Sequence, residues 1–435
     1  MDIISLINLL PGHPAAKGLW FYTHVPPSWL DRLGEASFRS AIRYAGTHSP
    51  FYRRKFAELG IDARAIRTPE DLGTFYTTAE DIRANVQEFV CARPDTAYET
   101  TGTTSKRPKR VYFSRKEIKE AGWSGAVGLW GMGLRPEDRV ASAFDYSFWV
   151  SGPVLQASCE VIGCFHVEAG RLDPADFYDR LKDYGITVIV GDPSWVVRLS
   201  EVAQERGPWP LKLLIAGGEN LTEDARKFVE GVWKADFVLS YGQTEAFGAI
   251  GIESREKDGY FVNEFHNAFE IVERDAEGYG ELVYTTLNRR VMPLVRYKSG
   301  DITRFLTTPS ADGIPARRIE KLRGRVNDWT VTAMGNIAPW MFEDLFGAVP
   351  GTSEDWQIVV KKDGAKDLIE FHVECLNGTA PADLGRAVMS AFRTRWTDQS
   401  RQLDMGLLRL DVKVHPKGEL RQGRKLLRIV DQRKF

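Results

Sequence analysis

Between Tyr98 and Val111 the chain reads Tyr-Glu-Thr-Thr-Gly-Thr-Thr-Ser-Lys-Arg-Pro-Lys-Arg-Val, a hydroxyl cluster around one glycine with basic residues directly behind it. Gly102 permits backbone conformations that other residues resist. Thr100, Thr101, Thr103, Thr104 and Ser105 offer hydroxyl donors, and Lys106, Arg107, Lys109 and Arg110 offer positive charge. That combination suits the phosphates of a nucleotide. It is not a Walker loop, because no Gly-Lys-Ser/Thr closes it at the required spacing. Taken alone it reads equally well as a polar turn with a basic flank, so the rest of the chain has to decide.

Four further segments carry chemistry-bearing types. Ala216-Gly217-Gly218-Glu219 follows an expected strand, and paired glycines at a strand's carboxyl end let the backbone approach a flat ring. Ser240-Tyr241-Gly242-Gln243-Thr244-Glu245 also follows a strand. Tyr241 can stack on a base, Gly242 gives freedom, Thr244 can bond a phosphate oxygen and Glu245 can hold magnesium, which prefers oxygen ligands. As a plain turn, Thr244 or Glu245 would cap a helix instead. Asp301, in Arg296-Tyr297-Lys298-Ser299-Gly300-Asp301, either forms a turn or accepts both hydroxyls of a ribose. Gly324-Arg325-Val326-Asn327-Asp328 precedes a segment whose end, Arg421-Gln422-Gly423-Arg424-Lys425, could bring the charge of Lys425 to a reacting phosphate.

Alternating strands and helices must position these residues. Residues 28–59 show helical periodicity broken at Pro50, with Ser28 as the expected N-cap. From about residue 110, strands are expected at Val140–Phe144, Val188–Val190, Leu211–Ile215 and Phe237–Leu239. Helices are expected at Asp176–Tyr184, Ser194–Gln204 and Glu223–Trp233. Residues 260–306 read as β-rich, with Tyr260–Val262, Ala268–Val272, Gly280–Tyr284 and Leu294–Tyr297 as strands. Beyond Gly324–Asp328, a smaller unit is expected with strands Trp356–Lys361, Ile369–Cys375 and Leu408–Val414 and a helix Asp383–Thr394. The expected domains are therefore 1–326 and 327–435.

The 435 residues suffice for two or three domains, and 43% hydrophobic with 27% charged content is that of an ordinary globular protein. A net charge of −1 gives no field for nucleic acid or membrane, so nucleotide binding has to come from local loops. The four cysteines, Cys91, Cys159, Cys164 and Cys375, form no CxxC and no zinc spacing, and are expected as reduced thiols. Met1 to Pro14 is apolar but too short to span a bilayer, and is expected as a packing or dimer contact. A cytoplasmic location follows as the expectation.

In order, the motifs are the Thr/Gly/Lys loop, Gly-Gly-Glu, Tyr-Gly-x-Thr-Glu, Tyr-x-x-Gly-Asp, Gly-Arg-x-x-Asp and a C-terminal Arg-x-x-x-Lys. This series resembles the acyl- and aryl-adenylate-forming enzymes, and within them the phenylacetate–CoA ligase branch. Thr77 to Arg83, Asp258-Gly259, Gly280 to Val283, Thr285 to Leu287 and Arg428 to Asp431 are similar to that branch. The resemblance covers about residues 30–435. It implies an α/β fold, with a large N-terminal domain of layered β-sheets and flanking helices and a small mobile C-terminal α+β domain. Ser105 and Arg107 depart from the usual loop, and Asn327 stands where the hinge residue is usually Asp. Gly423-Arg424 also replaces an acidic-Gly pair. The region 246–266 lacks the Cys/His cluster of some relatives, so no structural zinc is expected.

The resemblance further implies that a carboxylate attacks the α-phosphate of ATP, giving an acyl-adenylate and pyrophosphate. Thr101, Gly102, Thr103, Thr104 and Lys106 would then hold the β,γ-phosphates, with Thr244 beside them. Gly218 and Glu219 would contact adenine, Tyr241 with Gly242 would form its stacking face, and Asp301 would hold the ribose, with Arg325 as a nearby ribose or phosphate contact. Glu245 would hold Mg2+, and Lys425 would bridge the carboxylate and the α-phosphate. The acid wall is expected at Asp145, Tyr146, Phe148, Trp149, Ser151 and Gly152, with Gly217, Phe247 and Gly248. Its four aromatics favour a flat ring, and Asp145, Ser147 and Ser151 could bond ring amino or hydroxyl groups. A hydroxy- or aminobenzoate of secondary metabolism is the expected acid. The acceptor is CoA, a carrier-protein thiol or a small nucleophile, and Asn327 tilts the expectation away from strict CoA ligation. A homodimer is expected by resemblance, and a non-catalytic nucleotide-binding homologue is the remaining alternative.

Overall fold

On either side of residues 101–107 the chain folds back as a hairpin. β1 (Thr96–Glu99) and β2 (Arg110–Phe113) pair antiparallel from Thr96↔Phe113 to Glu99↔Arg110. The computed structural model describes residues 7, 9–100, 108–219, 221–311, 313–326, 330–332, 334–363, 366–376, 379–405, 408–421 and 426–433. Directly after the hairpin, Ser114 and Glu117 form a capping box that starts the helix Arg115–Gly131. Glu117 does more than cap. Its Oε1 accepts the N–H groups of Arg290 at 2.7 Å and Val291 at 2.9 Å, tying a distant loop to this helix start.

The central sheet grows from short apolar strands, β3 (Arg139–Ser142), β4 (Phe165–Glu168), β5 (Val188–Gly191), β6 (Leu213–Gly217) and β7 (Asp236–Gln243). All neighbours among these five pair in parallel. β5 and β6 are buried along their whole length, as parallel strands covered on both faces must be. β8 (Gly248–Glu253) and β9 (Gly259–Val262) continue the sheet antiparallel. β10 (Asn267–Val272), β11 (Gly280–Thr286) and β12 (Tyr297–Thr303) form a separate antiparallel run. β13 (Phe305–Leu306) and β14 (Arg318–Glu320) then return to the first sheet, giving nine strands in the order β13-β14-β9-β8-β7-β6-β5-β3-β4.

Helix Arg115–Gly131 packs on helix Ser151–Ile162 at very short range. A Cβ placed on Gly122 would lie 2.4 Å from the Cβ of Ala157, so only glycine allows this approach. The N-terminal helices break at Pro50 as the periodicity indicates, with the Ser49 hydroxyl accepting from the Tyr52 N–H. The preceding helix, however, runs Pro27–His48, so Ser28 lies inside it, and the helix starts without a side-chain cap on a proline, whose fixed φ suits the first position. Leu294 to Arg296 is not strand either, since Arg296 takes a left-handed φ of 45° and β12 begins one residue later.

The chain divides into two compact units, Met1–Gly218 with Val229–Lys321, and Glu219–Phe228 with Leu322–Phe435. In the second, β15 (Gly324–Arg325) precedes a small hairpin of β16 (Thr330–Thr332) and β17 (Gly335–Ile337). Its main sheet has β18 (Thr352–Asp363), β19 (Lys366–Cys375), β20 (Arg409–Pro416) and β21 (Ile429–Asp431) in the order β20-β19-β18-β21. Helices Trp340–Gly347 and Pro381–Arg395 cover one face, with Phe342, Phe346, Phe371 and Phe392 in the core between them. Among the described residues no helix is long and apolar enough to cross a membrane.

Candidate active site

Thr101, Gly102, Thr103, Thr104 and Lys106 lie outside the described residues, but the stem that presents them does not. The Thr100 N–H donates to the Lys109 carbonyl at 3.0 Å, closing the hairpin at the base of the loop. Lys109 turns its side chain inward. Its ammonium donates to the Tyr297 hydroxyl at 2.8 Å and pairs with the Glu245 carboxylate, and Tyr297 in turn donates to Glu245 Oε1 at 3.1 Å. Burial alone would raise the Glu245 carboxyl. The Lys109 charge and hydrogen bond, the Glu245 backbone and Tyr297 outweigh it and hold the group below the usual carboxylate range.

Arg289 completes this floor. Its guanidinium donates to the carbonyls of Glu245 at 2.7 Å and Tyr112 at 3.0 Å and lies over the Phe113 ring. Burial lowers its pKa to about 10, so it remains charged at neutral pH. Neither Lys109 nor Arg289 is assigned a partner by sequence reasoning, since a buried cation and a surface one look alike in a basic run. The only available hint is the Arg289-Arg290 pair just after Thr285-Thr286-Leu287.

Among the described residues no group of three or more His, Cys, Asp or Glu side chains converges on a metal position. A single carboxylate does fit magnesium, which keeps most of its water and is commonly carried on substrate phosphates with one or two carboxylates. Glu245, the carboxylate expected to hold it, has its charge matched here by Lys109.

β6 ends at Gly217 opposite Ser240, three residues before the end of β7. A Cβ on Gly217 would meet the Ser240 carbonyl oxygen at 2.9 Å, and Gly218 takes a φ of 95° with Asp192 Oδ1 3.6 Å from its Cβ position. Both glycines are thus required by the backbone itself. Tyr241 is buried, and its hydroxyl donates to Asp301 Oδ2 at 2.5 Å. Gln243 Nε2 donates to the same oxygen at 2.6 Å, while Tyr284 donates to Gln243 Oε1 at 2.9 Å. Asp301 is therefore fixed on β12 by two donors from β7. Gly242 is exposed beside them and Thr244 is half-buried in the short 3-10 turn Thr244–Ala246. Glu245 thus meets the stem of the loop through Lys109, while Tyr241 and Asp301 bond each other.

The expected acid wall is a loop between β3 and the helix Ser151–Ile162. The Glu99 N–H donates to the Phe148 carbonyl at 2.8 Å, so the hairpin stem is hydrogen-bonded to this wall. Asp145 Oδ1 accepts from the Ser147 N–H at 2.7 Å and hydroxyl at 2.6 Å. Phe148 is 60% exposed, Trp149 is half-buried, and Ser151 and Gly152 begin the helix. Tyr146 lies over Gly152, and its hydroxyl donates to Ser142 Oγ at 2.9 Å and sits 3.3 Å from His166 Nε2. His166, on β4, has no motif around it and goes unnoticed in the sequence. Burial pushes its pKa down to about 4, so the ring is neutral at pH 7. Phe247 is buried against Phe113 and His266 at a left-handed φ of 68°, and Gly248 opens β8.

Glu219 and Arg325 belong to the second unit. Glu219 accepts from Arg421 at 3.2 Å, and Arg325 is half-buried on β15. Lys425 and Asn327 lie outside the described residues.

The AMP-binding enzyme family matches residues 81–266. Phenylacetate-coenzyme A ligase of Thermus thermophilus is 29% identical over 442 residues, covering 94% of this chain and 98% of its own. The ligase of the same name from Pseudomonas putida is 28% identical over 365 residues, covering 79% and 80%. A 2-hydroxyisobutyryl-CoA ligase solved in complex with 2-HIB-AMP shares the fold, with a TM-score of 0.82 at 23% identity over 98% of this chain and 94% of that one.

Proposed function

We propose that this chain is an adenylate-forming enzyme akin to the phenylacetate–CoA ligases, and that it joins an aromatic carboxylic acid to coenzyme A through an acyl-adenylate. In the first step a carboxylate oxygen attacks the α-phosphorus of ATP, forming the acyl–O–P bond as pyrophosphate leaves. In the second, the CoA thiol attacks the acyl carbon, gives up its proton, and AMP leaves. The observation that carries this reading is the cluster of Lys109, Glu245 and Tyr297 beside Asp301, which brings the phosphate hairpin and two distant motifs into contact. Catalysis by positioning and charge needs such a preorganised floor and no covalent enzyme intermediate.

Magnesium, when bound, offsets phosphate charge, and Glu245 is the residue that would hold it. Thr101, Gly102, Thr103, Thr104 and Lys106 would cradle the β,γ-phosphates, with Thr244 adjoining. Gly218, Glu219, Tyr241 and Gly242 would frame the adenine, and Asp301 with Arg325 would bind the ribose. Lys425 would stabilise charge developing between the two reactants.

CoA is the better-supported acceptor, because relatives matched over most of their length are CoA ligases. The lean away from CoA suggested by Asn327 is set aside. For the acid, Asp145, Tyr146, Phe148, Trp149, Ser151, Gly152, Gly217, Phe247 and Gly248 would form the pocket. Tyr146 and the neutral His166 beside it support a ring bearing a polar substituent, a hydroxy- or aminobenzoate. ATP–pyrophosphate exchange with phenylacetate, benzoates and fatty acids tests this. Exchange with a substituted benzoate supports the reading. Preference for phenylacetate or for fatty acids removes the benzoate part.

A further inference from the structure

Strand order alone marks one crevice in the large sheet. β3 leads outward to β4 at the sheet edge, and the chain then crosses back to lay β5 on the other side of β3. The carboxyl ends of β3 and β5 therefore flank a topological switch point, where open α/β sheets bind ligands. The expected acid wall, Asp145 to Gly152, leaves from the first of these ends. Asp192 leaves from the second, one residue past Gly191, and no motif surrounds it in the sequence.

Asp192 stands at the N-cap of the helix Pro193–Arg206, where an aspartate ordinarily bonds the first N–H groups of the helix. Here its backbone carbonyl accepts the Val196 N–H at 3.0 Å, but its side chain makes no capping bond. The carboxylate is 5% exposed and turned toward the end of β6, with Oδ1 3.6 Å from the Cβ position of Gly218. From the loop after β4, Arg171 Nη2 approaches Oδ2 at 3.9 Å. That loop is fixed, since the Gly170 N–H donates to the Ser142 carbonyl at 3.1 Å and Trp195 Nε1 to the Leu172 carbonyl at 2.9 Å. The backbone that carries Asp192 is close-packed too. A Cβ on Gly191 would lie 3.0 Å from the Trp195 ring and 3.5 Å from the Ala143 Cβ.

We propose that Asp192 is a specificity-determining residue of the acid site, and that its carboxylate accepts a hydrogen bond from an amino or hydroxyl group on the ring. That role rests on the benzoate reading above and sharpens it. A tyrosine hydroxyl and a neutral imidazole, the groups that Tyr146 and His166 offer, can each donate or accept, so they favour a polar substituent of either kind. An ionised carboxylate only accepts, and its lone pairs are more than one long contact with Arg171 uses. It selects rings that bear N–H or O–H groups over nitro- and methoxy-substituted rings, whose oxygens would face it with no proton between.

The test is acid-dependent ATP–pyrophosphate exchange in the full chain for wild type, Asp192→Ala and Asp192→Asn, with benzoate and its amino, hydroxy, nitro and methoxy derivatives. The KM for ATP and thermal unfolding are measured alongside. Wild type is expected to prefer a donor-bearing acid in kcat/KM. Asp192→Ala should lower kcat/KM for that acid about tenfold to a hundredfold, as for a lost hydrogen bond to a charged group, with benzoate and the ATP KM within about twofold of wild type. Asp192→Asn keeps the shape and adds a donor, so it should raise the nitro and methoxy acids relative to the amino and hydroxy ones, and it reads that ratio even where D192A fails to fold. The proposal is overturned if both variants lower every acid by one factor, or if they raise the ATP KM and leave the acid ratio unchanged. If wild type exchanges with no benzoate, the benzoate reading falls and the role of Asp192 with it. If wild type exchanges with benzoates and the ratio survives both substitutions, only the role of Asp192 falls.

Discussion

Lys109 and Glu245 are each about nine-tenths buried or more, at 10% and 4% side-chain exposure, so neither has water to fall back on when the other is removed. Breaking a buried pair by deleting one partner typically costs about 3–5 kcal/mol. Lys109→Met should therefore lower stability in urea at pH 7 by an amount of that order, and the added Glu245→Gln change should restore part of it. Because the Glu245 carboxyl is held below its unfolded value, its contribution is present above the unfolded pKa and lost as pH falls through the folded one. The wild type should consequently lose more stability on acidification than the E245Q variant, and equal loss would contradict the pairing. His166 gives a second pH dependence with a different window. Its folded pKa, pushed down to about 4 by burial, lies below the ordinary histidine value of about 6.5. The unfolded chain therefore binds the extra proton first, and stability falls as pH drops from about 6.5 towards about 4. His166→Phe should flatten that part of the curve, measured as Tm against pH, and should shift preference from hydroxylated towards unsubstituted acids. Unchanged acid preference in this variant would detach His166 from the pocket.

At the scale of elements, helix Arg115–Gly131 is held at its start by Glu117 and along its length by contact with helix Ser151–Ile162. Gly122→Ala forces the new methyl against Ala157, including its backbone carbon at 2.9 Å, which cannot swing away as a flexible side chain would. Overpacking of this kind costs about 1–3 kcal/mol, readable as a lower urea midpoint at unchanged m-value. Such contacts are where the sequence stops being informative. The apolar runs at Val188–Val190 and Phe237–Leu239 reveal strands, and the glycines at Gly217 and Gly218 mark a strand end, because local chemistry alone demands them. Nothing local says that β9 and β14, 55 or more residues apart, lie side by side. The residues after Tyr260 therefore read as a separate β-rich region when β9 belongs to the main sheet. Lys109 and Arg289 fail for the same reason, since their partners come from distant strands and loops. The carboxylates Glu245 and Asp301 were legible because their motifs surround them.

For the whole molecule, the segment Glu219–Phe228 belongs with the C-terminal unit although a single helix, Glu223–Trp233, carries it on into the larger one. Periodicity reads that helix correctly and cannot divide it. Thr222 bonds Glu354 at 2.8 Å and Glu219 bonds Arg421, so the Gly-Gly-Glu motif feeds its glutamate to the unit that carries Lys425. The two half-reactions proposed for this chain can be separated by experiment. If the acyl-adenylate forms first, pyrophosphate exchange must proceed with ATP and acid alone, without CoA. Adding CoA to the isolated complex should then release AMP and thioester in equal amounts in a single turnover. Lys425→Ala should abolish most of the exchange, by about 10²–10³, the usual cost of one charge-stabilising donor. The same variant, supplied with the chemically prepared acyl-adenylate, should transfer the acyl group to CoA at a rate near wild type, because pyrophosphate has already left. Phosphorus NMR of the products distinguishes the outcomes. ADP in place of AMP, or a strict need for CoA before any exchange, would show that the acid is not activated as a free-standing adenylate and would remove the role assigned to Lys425.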